Sequence, residues 1–149
     1  MSGDLATLEA NKALVIRYID EAVNKGNLAV LDEVMDLNYV NPTIAIGRTP
    51  GGRERYKGGV SGTRASFPDI HVRLESVIAE GDLVAYHGVW TGTHLGTFRG
   101  IPPTGRRVEW AATCYRRVKD GQLVEGWGTY DWLGLLEQMG VSVTPPTVE

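Results

Sequence analysis

The stretch HVRLESVIAEGDLVAYHGVWTGT, residues 71–93, decides the architecture. In its first half Val72, Leu74, Ser76 and Ile78 alternate with His71, Arg73, Glu75 and Val77, the period of two that a half-buried strand requires. Glu80-Gly81-Asp82 supplies a hairpin turn. The second half, Leu83 to Thr93, alternates again. Val84, Tyr86, Gly88, Trp90 and Gly92 fall on one side, and Ala85, His87, Val89 and Thr91 on the other. Toward the carboxyl end, a turn-rich stretch from Gly96 to Arg107 leads to a third strand, Val108 to Val118. Lys119-Asp120-Gly121 turns the chain into a fourth, Leu123 to Tyr130. A short helix begins near Asp131, carries Leu133, Leu135, Leu136 and Met139, and stops at Gly140. The tail with Pro145 and Pro146 is expected to be loose.

Toward the amino end the period changes to 3.6. From Asn11 to Val23, Leu14, Tyr18 and Ala22 form one row beside Val15, Ile19 and Val23. Gly26 ends this helix and Asn27 is placed to cap the next, which carries Leu28, Leu31, Val34 and Met35 and breaks between Asn38 and Pro42. A loop is expected from Thr43 to Gly52, then a third helix from Arg53 to Ser66 with Tyr56, Val60, Thr63 and Phe67 at helical spacing. Gly58, Gly59 and Gly62 weaken that helix by up to about 1 kcal/mol each. Helices followed by antiparallel strands define an α+β chain, its helices packed on one face of a curved sheet. Residues 1–149 read as one domain with its core at about 11–140.

The composition narrows the function. A net charge of -3 and a pI near 5.6 argue against a duplex nucleic-acid binder. The basic clusters, Arg48 with Arg53 and Arg55, Arg106 with Arg107, and Arg116 with Arg117, read as solvated faces. The single cysteine, Cys114, excludes an internal disulfide and a cysteine-built zinc cluster. Neither a secretory leader nor an apolar run long enough for a bilayer is legible, so a cytoplasmic protein without membrane contact is expected. His87 and His94 are not at metal-ligand spacing, and no phosphate-binding loop or dinucleotide motif is present. No metal and no cofactor is implied.

The segment GTHLGTFRGIPPTGRRVE, residues 92–109, resembles the signature of SnoaL-like polyketide cyclases, within the nuclear-transport-factor-2-like superfamily. ASFPD at 65–69, AEGD at 79–82, DGQLVE at 120–125 with Trp127, and LGLLEQMG at 133–140 fit the same family, so the resemblance spans about 11–140. It implies a cone: about three amino-terminal helices against a curved, mostly antiparallel sheet that encloses a pocket, usually as a homodimer. It also implies a metal-free enzyme that closes a ring in a hydrophobic, polyketide-like ketone or ester by acid/base enolate chemistry. Two alternatives stay open. One is a protein that binds a small apolar ligand without turning it over; the other is an epoxide hydrolase or hydroxylase on the same scaffold.

In that cone the even side of the second strand turns Tyr86 and Trp90 inward and His87 outward, and the third strand turns Trp110, Ala112 and Cys114 inward. For the fourth, either Gly126, Gly128 and Tyr130 or Trp127, Thr129 and Asp131 face the pocket. The family's acid/base aspartate and histidine fall at or near Gly128 and Cys114, and its His-Trp-Asp reads Gly126-Trp127-Gly128 here, so the usual proton-transfer pair is missing. Asp131 is the nearest carboxylate, legible either as the catalytic acid/base or, with more weight, as a helix N-cap. Tyr18 matches a pocket tyrosine of cone-fold isomerases, suited to polarise an enolate oxygen, and is equally legible as a core tyrosine. Tyr39-Val40-Asn41 resembles the Tyr-x-Asn of limonene epoxide hydrolases, without their Arg-x-Asp, since Gly88-Val89-Trp90 occupies that slot; Asn41 also reads as a turn residue. Tyr18, Asn41 and Asp131 are therefore the catalytic candidates. Tyr39, Tyr86, Trp90, Trp110, Cys114, Trp127, Gly128 and Tyr130 are candidates for contact with an aromatic or polycyclic ligand, Cys114 reading also as inert core filler.

Overall fold

Strand β4 (Arg107–Lys119) is the centre of a five-stranded sheet of order β1-β5-β4-β3-β2. The structure, a computed structural model, describes residues 4–41 and 52–147. Its elements run α1 (Leu5–Tyr18), a π-helical turn (Ile19–Asn24), α2 (Val30–Val34), β1 (Met35–Val40), α3 (Gly52–Ser66), β2 (His71–Glu80), β3 (Leu83–Thr93), β4, β5 (Gln122–Tyr130) and α4 (Trp132–Gln138). The fold is α+β, with β2 to β5 antiparallel and β1 added parallel to β5.

The strands follow the alternation, and the hairpins follow the glycines. Gly81 and Gly121 have φ of 59° and 74°, the left-handed region in which a Cβ is unfavourable. In the sheet, two features depart from the sequence reading. The second helix ends at Val34, because Met35 is already extended (φ -127°, ψ 133°), and the residues after it form β1. Leu31 and Met35 are both buried, a spacing that fits a helix as well as a helix-to-strand junction, so local periodicity could not separate the two. The second departure is a bulge in β2. Leu74 pairs with Gly88 and Ser76 with His87, so Glu75 is the extra residue and parity flips beyond it. Val77 and Ala79 then pack against the core, and Ile78 is 67% exposed.

α1 starts earlier than Asn11, capped by Asp4, whose carboxylate accepts a 2.8 Å hydrogen bond from the Thr7 amide. Its widened last turn buries Ile19 and Ala22, while Gly26 closes it at φ 76°. Asn27 does not cap α2 through its side chain; Ala29 occupies that position. The loop read from Thr43 onward, with Arg48, lies outside the described residues up to Gly52. Val15, Tyr18, Ile19 and Leu31 from the amino-terminal elements meet Val72, Val84, Trp110 and Leu123 from the sheet in one buried cluster. No helix among the described residues is long and apolar enough to cross a membrane.

Candidate functional site

Between α1, α3 and the inner face of the sheet lies a cavity of about 700 Å³. That is within the usual range for small-molecule sites, ~300–1,000 Å³. One wall is aromatic: Trp90, Trp110, Tyr130 and Trp132 line it, with Tyr130 stacked on Trp132 at 4.8 Å and edge-on to Trp90 at 5.7 Å. The lining also carries three more phenols, Tyr18, Tyr39 and Tyr56, together with Asn41. Among the described residues on this lining there is no aspartate, glutamate or histidine, whereas Arg55, Arg64 and Arg99 all contribute.

Behind the phenols is Arg116, only 2% exposed and without an ion pair to any carboxylate among the described residues. Taking a guanidinium out of water costs on the order of several kcal/mol, so its partners matter. Its Nη1 donates to the carbonyls of Tyr115 (2.7 Å) and Trp127 (3.4 Å). Its Nη2 donates to the hydroxyls of Tyr18 (2.8 Å) and Tyr56 (3.4 Å). The Arg116 charge centre also lies 5.4 Å from the ring centroids of both Tyr18 and Tyr86. Nε of Arg116 and the hydroxyl of Tyr39 are buried with no hydrogen-bond partner among the described residues. Burial presses the Arg116 pKa down, but the tyrosine oxygens around it press it up and prevail, so the group stays charged.

Counting donors fixes the direction of this network. The Tyr18 hydroxyl is 2.9 Å from that of Tyr86 and 3.0 Å from that of Tyr56. Tyr86 is 1% exposed and its hydroxyl pairs only with Tyr18 among the described residues, so it satisfies its proton by donating there. Tyr18 then accepts from Tyr86 and from Arg116, which fills both acceptor sites, and donates to Tyr56. Tyr56 accepts from Tyr18 and more weakly from Arg116, leaving its own O–H for the cavity it lines. Burial raises the pKa of Tyr18 and Tyr86 well above the ordinary tyrosine value, with Arg116 opposing only in part. The chain is therefore a line of neutral donors backed by a fixed cation and ending at Tyr56.

Two glycines of β5 make room for it. Gly126 pairs with Arg116 across the strands, and a Cβ there would collide with the Tyr39 hydroxyl and sit 2.6 Å from Arg116 Cδ. At Gly128 a Cβ would stand 2.6 Å from Cys114 Sγ. Carboxylate-bearing side chains at these positions would displace the groups now packed there.

The structure resolves the open parity of β5. Gly126 and Gly128 are buried on the inner face and Tyr130 lines the cavity. Trp127 faces the other way and stacks on the exposed Tyr115 at 5.4 Å, so its expected ligand contact is corrected. Asp131 is exposed and lies outside the cavity, its Oδ1 accepting a 2.9 Å bond from the Gly134 amide as the N-cap of α4. Tyr18, Tyr39, Asn41, Trp90, Trp110 and Tyr130 share the lining. Tyr86, Cys114 and Gly128 lie beneath it, with Cys114 Sγ 3.6 Å from the Tyr130 hydroxyl. His94 is fully buried and its Nδ1 accepts from the Thr104 amide at 3.3 Å, a structural bond of the signature loop. No group of three or more potential metal ligands occurs among the described residues.

Arg116 corrects the reading of that cluster as solvated. The signal was present: positions 110, 112 and 114 were read as inward, and 116 continues the same parity. Tyr56, Arg99 and Trp132 were also missed as site residues, because their elements are aimed at the cavity only by tertiary packing.

A helix-covered cavity over one face of a curved sheet defines a cone-fold protein built around a small-molecule-sized space. The family model of SnoaL-like polyketide cyclases matches residues 13–139. The sequence is 31% identical over 121 residues to nogalonic acid methyl ester cyclase of Streptomyces nogalater, covering 80% of this chain and 90% of that protein. It is 29% identical over 130 residues to aklanonic acid methyl ester cyclase DnrD of Streptomyces peucetius, covering 85% and 88%. Among solved structures, IdmH of Streptomyces antibioticus matches with a TM-score of 0.77 at 34% identity, over 88% of this chain and 99% of that one. A SnoaL-like protein of Jannaschia sp. CCS1 gives 0.82 at 26%, over 93% and 95%. The chain belongs to the SnoaL-like polyketide cyclase family.

Proposed function

We propose that the protein closes a ring in a flat, hydrophobic, polyketide-like ketone or ester by an intramolecular aldol reaction. The observation that carries this reading is the buried Arg116 with no carboxylate partner among the described residues, coupled through Tyr18 to the Tyr56 hydroxyl on the cavity. In such a reaction a carbon flanked by carbonyls loses a proton, the enolate carbon attacks a second carbonyl carbon, and the resulting alkoxide takes up a proton. Negative charge develops on oxygen in both steps. Fixed donors aimed at that oxygen lower the barrier, since they need no reorganisation as the charge appears. Tyr56 supplies the terminal hydrogen bond, Tyr18 transmits the polarisation from Arg116, and Asn41 is a second polar group on the lining. With neither carboxylate nor histidine on the described lining, water carries the proton away and returns it. Trp90 and Tyr130 give a planar substrate an aromatic contact surface, with Trp132 backing Tyr130.

The test is ring closure of nogalonic acid methyl ester, followed by absorbance and chromatography alongside a binding titration. Conversion by the native protein, reduced about 10²-fold in Tyr56→Phe with binding retained, is the expected result. Saturable binding without conversion would overturn it and favour a ligand-binding protein. That second reading rests on the absence of acidic and histidine side chains from the described lining.

A further inference from the structure

We propose that the cavity takes its ligand as an aromatic carboxylate, held by Arg99 at the rim, where the similar cyclases are named for methyl esters. The inference rests on the small-molecule reading above but not on the aldol chemistry. Arg99 sits at the tip of a two-residue turn closed by backbone bonds between Phe98 and Ile101 of 3.0 and 2.8 Å. Its φ is 48° and that of Gly100 is 79°, the primed-turn geometry that glycine and asparagine favour. An arginine at the first of these positions is backbone-disfavoured, so its side chain is the natural place to look for its use.

That side chain is exposed yet lines the cavity. Its guanidinium carbon stands 4.4 Å over the Trp132 ring and 5.6 Å from the Phe98 centroid, and Arg99 makes no hydrogen bond or ion pair among the described residues. Stacking on an indole fixes the plane of a guanidinium and leaves its N–H edge open, the arrangement that receives a carboxylate through two parallel hydrogen bonds. Trp132 continues the aromatic wall through Tyr130, so a flat ring lying on that wall brings an edge substituent to Arg99. The surrounding charge agrees. The described lining holds three arginines and no acid, with Arg116 buried beneath, and a cavity walled by one sign of charge concentrates ligands of the other. Arg64 is engaged by the carbonyls of Val23 and Asn24, at 2.6 and 3.1 Å, and stabilises a helix end.

The experiment titrates the intact protein with anthraquinone-2-carboxylate and with its methyl ester, read by tryptophan fluorescence and calorimetry. The acid is expected to bind about tenfold or more tightly than the ester, and rising salt should erode the preference. Arg99→Asn, which tolerates the positive φ and so keeps the turn, should abolish the acid's advantage over the ester. Equal binding of both probes to the native protein, or a preference that survives Arg99→Asn, overturns the proposal. Binding of neither probe overturns it together with the small-molecule reading. A carboxylate preference alongside failed ring closure sinks only the cyclase assignment.

Discussion

Arg116 and Arg117 are neighbours on β4 and end on opposite faces of the sheet. Arg117 points outward, where its Nη1 donates to both carboxylate oxygens of Asp82 at 2.8 and 2.9 Å and its Nε to Glu125 at 3.1 Å. Its side chain is 37% exposed, so these pairs are screened by solvent and worth only about 0–1 kcal/mol. Arg116 points inward, has no carboxylate partner among the described residues, and leans on phenols and carbonyls instead. The outer face pairs its arginine with carboxylates across the strands; the inner face holds a cation among neutral groups. The difference teaches that strand parity, and not residue type, separates a surface charge from a buried one.

The sharpest way to break that comparison is kinetic. Arg116→Met and Tyr56→Phe are each expected to lower the rate of ring closure about 10²–10³-fold. Arg117→Ala, measured in the same assay, should leave the rate unchanged. Equal losses from both arginines would remove the distinction. Thermal unfolding should show Arg116→Met destabilised by about 1–3 kcal/mol, because the relief of a buried charge's desolvation is outweighed by the loss of its hydrogen bonds to Tyr18 and the carbonyls of Tyr115 and Trp127.

The phenols around Arg116 offer a second handle, through alkaline titration. Tyr18, Tyr39, Tyr86 and Tyr130 all have pKa values raised, chiefly by burial, above the usual tyrosine value of about 10. For an acid raised in the folded state, the stabilisation is complete below the unfolded value and is lost as pH climbs through the folded one. Absorbance at 295 nm should therefore show these phenols resisting ionisation above pH ~10 until circular dichroism reports unfolding. Ionisation of all tyrosines near the ordinary value in folded protein would contradict the buried network.

Gly126→Ala sharpens the contrast sterically, since its methyl would meet Tyr39 and Arg116. A loss of about 1–3 kcal/mol in chemical denaturation is expected. The smallest effect should come from Asp131→Ala on the outer side. It removes an N-cap, so stability falls by about 1 kcal/mol while the ring-closure rate holds.

Much of the fold was legible because its determinants are local. β3 runs from Leu83 to Thr93 as the alternation predicts, and α3 covers Gly52–Ser66 against a predicted 53–66 despite its three internal glycines. The aromatic lining by Tyr18, Trp90 and Trp110 likewise follows from parity and helical spacing. What escaped needed partners distant in sequence. β1 is a strand because β5, more than eighty residues further on, offers it a parallel edge. The bulge at Glu75 is invisible to a pattern that counts by two. Trp127 and Gly128 could not be assigned a face until the register of the last hairpin was fixed.

Alone, then, the sequence determined the order of helices and strands, the hairpin turns and the family, since each depends on residues within a few positions or on a contiguous signature. The tertiary structure decided where charge lies. Arg116 has its meaning from Tyr18, Tyr56 and Tyr86, which come from two helices and another strand, and from the space left by Gly126. An arginine's desolvation and its compensating acceptors are properties of three-dimensional surroundings, and no reading along the chain contains them.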